Sequence, residues 1–231
     1  MEEGPKIALF ANFNNGFGAV GMFYGDHPAE PPKAFELFHN LKSLVATVLP
    51  SPSGMLLSFA QDLGEVGHAQ ASQKRSVCTV TTQSSHKLCG GVYKVWLDVC
   101  KTLPNGAVLN YTIQSIGSLQ FPIIPEIRHR TNGYPAINRV GFAYEWPKDG
   151  SDDAAAQKAV ITISKTVQSL AKTKGTLLDF KYMTFDTGSR KVLGSYGAEN
   201  IKLMQEVAAK YDPEGVFQKL QNGGFLLRDN I

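Results

Sequence analysis

A chain of 231 residues, 43% of them hydrophobic, is long enough to bury one substantial core and has the composition of an ordinary globular protein. Its 23 basic and 20 acidic residues leave a formal charge of +3. They are spread along the sequence with no basic run to track a phosphate backbone, which excludes nucleic acid as an expected partner.

Lys6 to Asn14 and Phe17 to Tyr24 are aromatic-rich segments split by Asn14-Asn15-Gly16, the pattern of a β-hairpin. Pro28 to Pro32 then breaks the chain. From Lys33 to Val45, the residues Phe35, Phe38, Leu41 and Val45 recur at helical spacing and predict a helix. Met55 to Val66 suits a short helix or a strand equally well. Arg75 to Gln83 is rich in β-branched residues and predicts a strand. A helix follows from about His86 to Lys101, with Leu88, Val92, Val95 and Val99 as its apolar stripe.

Further strands are expected at Ala107 to Ser115 and Ile137 to Trp146, separated by a Pro- and Gly-containing loop from Ile123 to Pro135. Asp152 or Asp153 is placed to cap a long helix with core positions Val160, Ile163, Val167 and Leu170. A strand at Thr176 to Phe185 and a helix at Ala198 to Tyr211, stopped by Asp212-Pro213, complete the pattern. No repeat or linker interrupts it, so residues 1–231 are read as one domain. The class is α+β: a largely antiparallel sheet, helices packed on one face, and an open face left for a ligand cavity or an interface.

The opening residues, MEEGPKIALF, lack the basic start and apolar stretch of a secretory signal, and no run of about 18 apolar residues offers a membrane span. A cytoplasmic protein with no membrane partner is expected. Cys78, Cys89 and Cys100 make an odd count without CxxC spacing, and are read as small buried hydrophobes. The histidines at 27, 39, 68, 86 and 129 have no metal-ligand spacing, so no metal is expected. No GxSxG elbow supports hydrolysis. His129, next to Arg130 in the loop entering a strand, is the one histidine suited to acid–base work.

Strand alternation selects pocket residues. Val140, Phe142, Tyr144 and Trp146 share one face and are assigned to the core; Arg139, Gly141, Ala143 and Glu145 share the other. Gly141 and Ala143 would leave room for a ligand between Arg139 and Glu145. By the same rule Leu109, Tyr111 and Ile113 point inward, leaving Asn110, Thr112 and Gln114 on the open face to orient a polyoxygenated substrate. Thr79 and Thr81, or Cys78 and Thr82, add to it depending on register.

The C-terminal strings Ser195-Tyr196-Gly197-Ala198-Glu199-Asn200, Lys210-Tyr211-Asp212-Pro213-Glu214-Gly215-Val216-Phe217 and Gly223-Gly224-Phe225 resemble the ending of berberine-bridge-enzyme-like FAD-linked oxidases of the VAO/PCMH type. RSVCTVTTQ, His129-Arg130 and Phe142 to Trp146 look similar to that family's substrate domain, and residues 195–231 correspond to its berberine-like segment. The resemblance implies a substrate domain whose open face lies against a flavin held by a preceding domain. That domain's Gly-rich pyrophosphate loop has no counterpart here, since Gly16-Phe17-Gly18 falls in a hairpin.

The resemblance also implies a local departure. The family often carries Asn-Tyr where this sequence has Thr184-Phe185 after the shared Tyr182, and in several members that tyrosine is the catalytic base. Phe185 has no hydroxyl with which to exchange a proton. Arg139 stands roughly where some members place a catalytic glutamate. A guanidinium cannot shuttle a proton but can hold an oxyanion.

These readings lead to an expected cofactor-independent cyclase or isomerase of fungal-type secondary metabolism, including a Diels–Alder-type closure of a natural-product intermediate. Arg139, Glu145 and His129 are its expected catalytic residues; Asn110, Thr112, Gln114, Gly141, Ala143, Tyr182, Thr184 and Phe185 are expected to bind substrate. The alternatives are an accessory protein paired with a flavin-domain chain and an FAD-linked oxidoreductase fragment. With the flavin side vacated, a homo-oligomer formed through the open face is expected.

Overall fold

In the computed structural model, which describes residues 6–47, 53–67, 73–117, 136–149, 152–187, 191–221 and 224–230, the chain folds as α+β. The hairpin forms as read: β1 (Ile7–Asn14) pairs antiparallel with β2 (Phe17–Tyr24), and Gly16 takes the positive φ (95°) that the turn between them requires. β3 (Gln73–Gln83), β4 (Val108–Gly117), β5 (Ala136–Pro147) and a short β6 (Leu177–Leu178) complete one antiparallel sheet, in the order β2-β1-β4-β5-β3-β6.

The segment Lys33–Val45 does not make the long helix its spacing suggests. A 3-10 turn (Lys33–Phe35) leads into α1 (Glu36–His39), which stops at Asn40. Only Phe35 is buried, while Leu41 and Val45 lie exposed, so no packing surface rewards the rest of the stripe. Leu56–Gly67, undecided from sequence, is helix α2.

The two helices that build the core are α3 (His86–Cys100), capped by the Ser85 hydroxyl on the Leu88 N–H, and α4 (Asp153–Thr173). They lie on the face of the sheet made by Cys78, Val80, Leu109, Tyr111, Val140, Phe142, Tyr144 and Trp146, as alternation predicts. From α3, Leu88, Val92 and Trp96 are buried; Trp96, not Val95 or Val99, anchors the stripe, donating its indole N–H to the Leu109 carbonyl at 2.8 Å. From α4 come Val160, Ile163 and Val167, with Ala156 and Ala171 in place of the half-buried Leu170. Gly91 lets α3 approach Leu170 closely: a Cβ there would stand 2.7 Å from its Cδ2.

Neither aspartate caps α4 as expected. Asp152 occupies the cap position without a side-chain bond, and the Asp153 carboxylate instead accepts from Lys74 Nζ (2.8 and 2.7 Å) and from Trp146 Nε1 (2.7 Å). Lys74, and next Trp146, hold the Asp153 carboxyl below its ordinary value of 3.8. A carboxyl depressed in the folded state stabilises fully above its unfolded pKa and loses that contribution as pH falls through the folded one. The melting-temperature gap between wild type and Asp153→Asn should therefore be widest near neutral pH and close as a pH series descends below the ordinary carboxylate range.

The strand expected at Thr176 to Phe185 survives only as β6, which pairs with Thr81 and Thr82. After Leu178 the chain leaves the edge because the Thr81 hydroxyl captures the Phe180 carbonyl (2.6 Å) and the Phe180 ring buries itself against Ile116 and Ile137 on the open face. It returns to the edge where the Thr187 N–H donates to the Val77 carbonyl at 3.1 Å. Residues 179–186 thus form an arm arching over one end of the open face. The Ser195 hydroxyl ties it to the C-terminal segment, accepting from the Lys181 N–H (3.0 Å) and donating to the Val192 carbonyl (2.7 Å).

The C-terminal segment contains α5 (Ala198–Tyr211), α6 (Val216–Leu220) and α7 (Leu227–Asn230). Asp212 ends α5 and its carboxylate accepts from the N–H groups of Val216 (2.6 Å) and Phe217 (3.0 Å). That bond gives the Asp-Pro-Glu-Gly string a mechanical role, with Gly215 at positive φ (64°). Among the described residues no helix is long and apolar enough to cross a membrane.

Candidate functional site on the open sheet face

Strand register sets the open face out in rows. Thr81, Arg139, Gln114, Phe10 and Gly21 lie side by side; Thr79, Gly141, Thr112, Asn12 and Ala19 form the next row; Val77, Ala143 and Asn110 the third; Arg75, Glu145 and Val108 the fourth. Seven of the eleven residues singled out from sequence are strand residues of this face: Arg139, Gly141, Ala143 and Glu145 from β5, and Asn110, Thr112 and Gln114 from β4. Tyr182 and Phe185 reach it on the arm, whereas no described contact brings Thr184 to it. His129 lies outside the described residues.

The arm sets aromatic side chains over one end of the strand face. The Arg139 guanidinium lies 3.9 Å from the Phe185 ring centroid and 4.9 Å from that of Tyr182, and donates to Gln114 Oε1. Phe180 packs edge-on to Tyr182 (4.9 Å) and against Tyr196 (5.2 Å), which fixes the arm's aromatic side. The Tyr182 hydroxyl is enclosed with no hydrogen-bond partner among the described residues, and burial pushes its pKa up, so it remains protonated. Thr184 is exposed at the arm's tip.

Glu145 is not part of this cluster. It lies six residues along β5 from Arg139, about 20 Å at strand rise, and is 3% exposed, with its Oε1 2.5 Å from Arg75. It is a buried ion-pair partner at the far end of the face, too distant to act with Arg139. A ligand held between Arg139 and Glu145 would have to span that distance along β5.

Sequence reasoning missed the part of the face contributed by the hairpin. Asn14 Nδ2 donates to Asn12 Oδ1 (2.7 Å), and Asn12 Nδ2 to Thr112 Oγ1 (2.8 Å), extending the polar floor onto β1. Phe10 lays its ring over Gly21, where a Cβ would come within 2.1 Å of it. The alternation of Phe10, Asn12 and Asn14 is visible in the sequence, but the pairing of β1 with β4, a hundred residues on, is not.

Only one of the three cysteines is buried as expected; Cys89 and Cys100 are half-buried. Cys78 is buried beneath α4, and burial raises Cys89 and pushes the Cys100 thiol up to about 11. Among the described residues no cluster of His, Cys, Asp or Glu could hold a metal. Gly16 and Gly18 lie in the hairpin and its second strand, not at a helix N-terminus. This Gly-x-Gly therefore offers no helix-end cradle for a dinucleotide pyrophosphate.

Comparison with known proteins agrees with the fold of this site. No family model matches the chain. It is 28% identical over 223 residues to an FAD-dependent monooxygenase of Arthrobotrys oligospora, an alignment covering 96% of this chain and 43% of that protein. It is 34% identical over 76 residues to the bifunctional solanapyrone synthase of Alternaria solani, covering 33% of this chain and 15% of that one. Its fold matches 6-hydroxy-D-nicotine oxidase from Arthrobacter nicotinovorans with a TM-score of 0.61 at 16% identity, over 92% of this chain and 46% of that one. The chain spans less than half the length of these proteins.

Proposed function

We propose that this chain forms the substrate side of a flavin-dependent oxidoreductase of fungal secondary metabolism, with the open sheet face turned toward a flavin carried by a region outside the described residues. The observation that supports this most directly is the cluster the arm makes with the sheet. Arg139, Gln114 and Tyr182 cluster at one end of a face whose centre is kept shallow by Gly141 and Ala143, so a planar ring system can lie across it. The flavin would supply the hydride acceptor. The chain's own residues bind the substrate, orient it with side-chain amides and hydroxyls, and shield it beneath the arm.

The test is a chimera in which this chain replaces the matching part of the Arthrobotrys monooxygenase. The expected product is a yellow protein whose bound flavin is reduced on adding substrate. A colourless, folded chimera would contradict the proposal.

A second reading is a non-redox cyclisation in the same pocket, of the Diels–Alder type. The similarity to a bifunctional synthase and the phenylalanine at position 185 favour it. It requires turnover of a polyene or quinone-methide-like precursor by colourless protein. An accessory role, or a homodimer closing the open face, would appear instead as a catalytically silent chain that co-purifies with a flavoprotein or with itself.

A further inference from the structure

The two edges of the sheet are treated differently. At one, β6 is only two residues long and the chain returns to β3 at Thr187, so little ladder is left to pair. At the other, β2 runs for eight residues with no described strand beyond it. The Gly25 N–H donates to the Lys6 carbonyl at 2.8 Å, which sets the phase of the hairpin ladder. Phe17, Ala19, Gly21 and Phe23 therefore exchange bonds with β1, and the N–H and C=O groups of Gly18, Val20, Met22 and Tyr24 point outward along the edge.

Such edges are ordinarily blunted by a lysine, a proline or a bulge. The strand Phe-Gly-Ala-Val-Gly-Met-Phe-Tyr has no charge and no proline, and its register with β1 is unbroken. Lys6 and Asp26, the nearest charges, lie beyond the strand end and pair with each other. Phe10, Phe17, Val20 and Phe23 are between 40% and 61% exposed on and beside this edge.

We propose that β2 pairs antiparallel with β2 of a second copy of this chain, about a two-fold axis at Gly21, joining two sheets into one. Only this register engages all four outward residues: Gly18 meets Tyr24 of the other copy and Val20 meets its Met22, giving about eight backbone hydrogen bonds. It also sets large side chains against small ones. On the core side, Tyr24 stands opposite Gly18. On the open side, Phe23, held edge-on by Phe59 at 5.6 Å, stands opposite Ala19, and the two Gly21 residues meet beneath the two Phe10 rings.

Uncharged strands meet without repulsion, and with the far edge closed the pairing stops at two copies instead of growing into a fibre. Eight strand residues a side fall short of the roughly 20–30 of a standard interface, so the dimer is a weak one. It leaves the open face uncovered and holds whether or not that face meets a flavin.

Sedimentation velocity of the 231-residue chain from about 1 to 500 µM reads the association, and hydrogen exchange resolved by fragment mass spectrometry reads which amides take part. The expected result is a monomer–dimer equilibrium in which the amides of Gly18, Val20, Met22 and Tyr24 slow about tenfold or more at high concentration. Those of Ala19 and Phe23, already bonded to β1, should change less. Val20→Lys puts a charge on an exposed edge position and is expected to weaken dimerisation about tenfold or more, with the melting temperature of dilute protein unchanged. Met22→Pro deletes an outward N–H that the hairpin does not use and should abolish the dimer.

A monomer throughout the range overturns the proposal. So does a dimer whose four edge amides exchange as fast as in dilute solution, since it would be closed through another surface. Protection of those amides already present in the dilute monomer overturns it too, because another segment of this chain would then cover the edge.

Discussion

Replacing Trp96 with alanine is expected to cost about 3–5 kcal/mol of stability, seen as a lower urea midpoint with an unchanged slope and a melting temperature roughly 10 °C lower. Trp96 is 2% exposed and stands between the two layers of the fold. Its ring lies 5.3 Å from Tyr111 and 5.6 Å from Tyr93, so truncation opens a cavity that neighbouring aromatics cannot collapse into without leaving their own contacts. It also strips the Leu109 carbonyl of its indole donor. Trp96→Phe separates the two losses: it keeps most of the apolar volume and should cost about 1–3 kcal/mol, chiefly for the unsatisfied carbonyl. Because β4 carries Leu109 on one face and Asn110 and Thr112 on the other, this core anchor also sets the floor of the site.

Gly141→Leu should do the opposite, sparing the fold and destroying the site. Gly141 lies at the centre of the open face between Thr79 and Thr112, and a Cβ added there meets only Thr79 Cγ2 at 3.8 Å, an ordinary contact. A strand interior gains nothing from glycine's backbone freedom, so stability should stay within about 1 kcal/mol of wild type or rise. The leucine branch, however, would stand over the shallow middle of the face where a planar ring must lie. In the flavin-bearing chimera turnover should fall roughly a hundredfold, through misplacement of the substrate. Thermal melts beside steady-state rates check both halves. Equal loss of stability and rate would mean that Gly141 is a packing residue.

What the sequence revealed followed from periodicity. The two faces of β5 and β4 were legible because one face packs on helices and alternates cleanly, so Val140, Phe142 and Tyr144 separated from Arg139, Gly141 and Ala143 without any structure. What it hid were choices made by long-range competition. Lys33–Val45 has a helical stripe, yet nothing packs against it beyond Phe35. Thr176–Phe185 has strand-forming residues, yet Phe180 gains more from the apolar patch of Ile116 and Ile137 than the edge of β3 offers. That departure is what brings Tyr182 and Phe185 onto Arg139. The separation of Glu145 from Arg139, six residues at strand rise, was legible in the sequence as well.

The central claim, that the open sheet face is turned toward a flavin-bearing region, is tested most directly by cysteine accessibility. Ala143→Cys places a thiol on that face with almost no change in volume, and Ile161→Cys places one on the exposed outer side of α4. Alkylation of each is mapped by mass spectrometry in the 231-residue chain alone and in the flavin-bearing chimera. The expected result is that Cys at 143 is labelled in the chain and strongly protected in the chimera, while Cys at 161 reacts equally in both. Equal labelling at 143 in both proteins would contradict the claim.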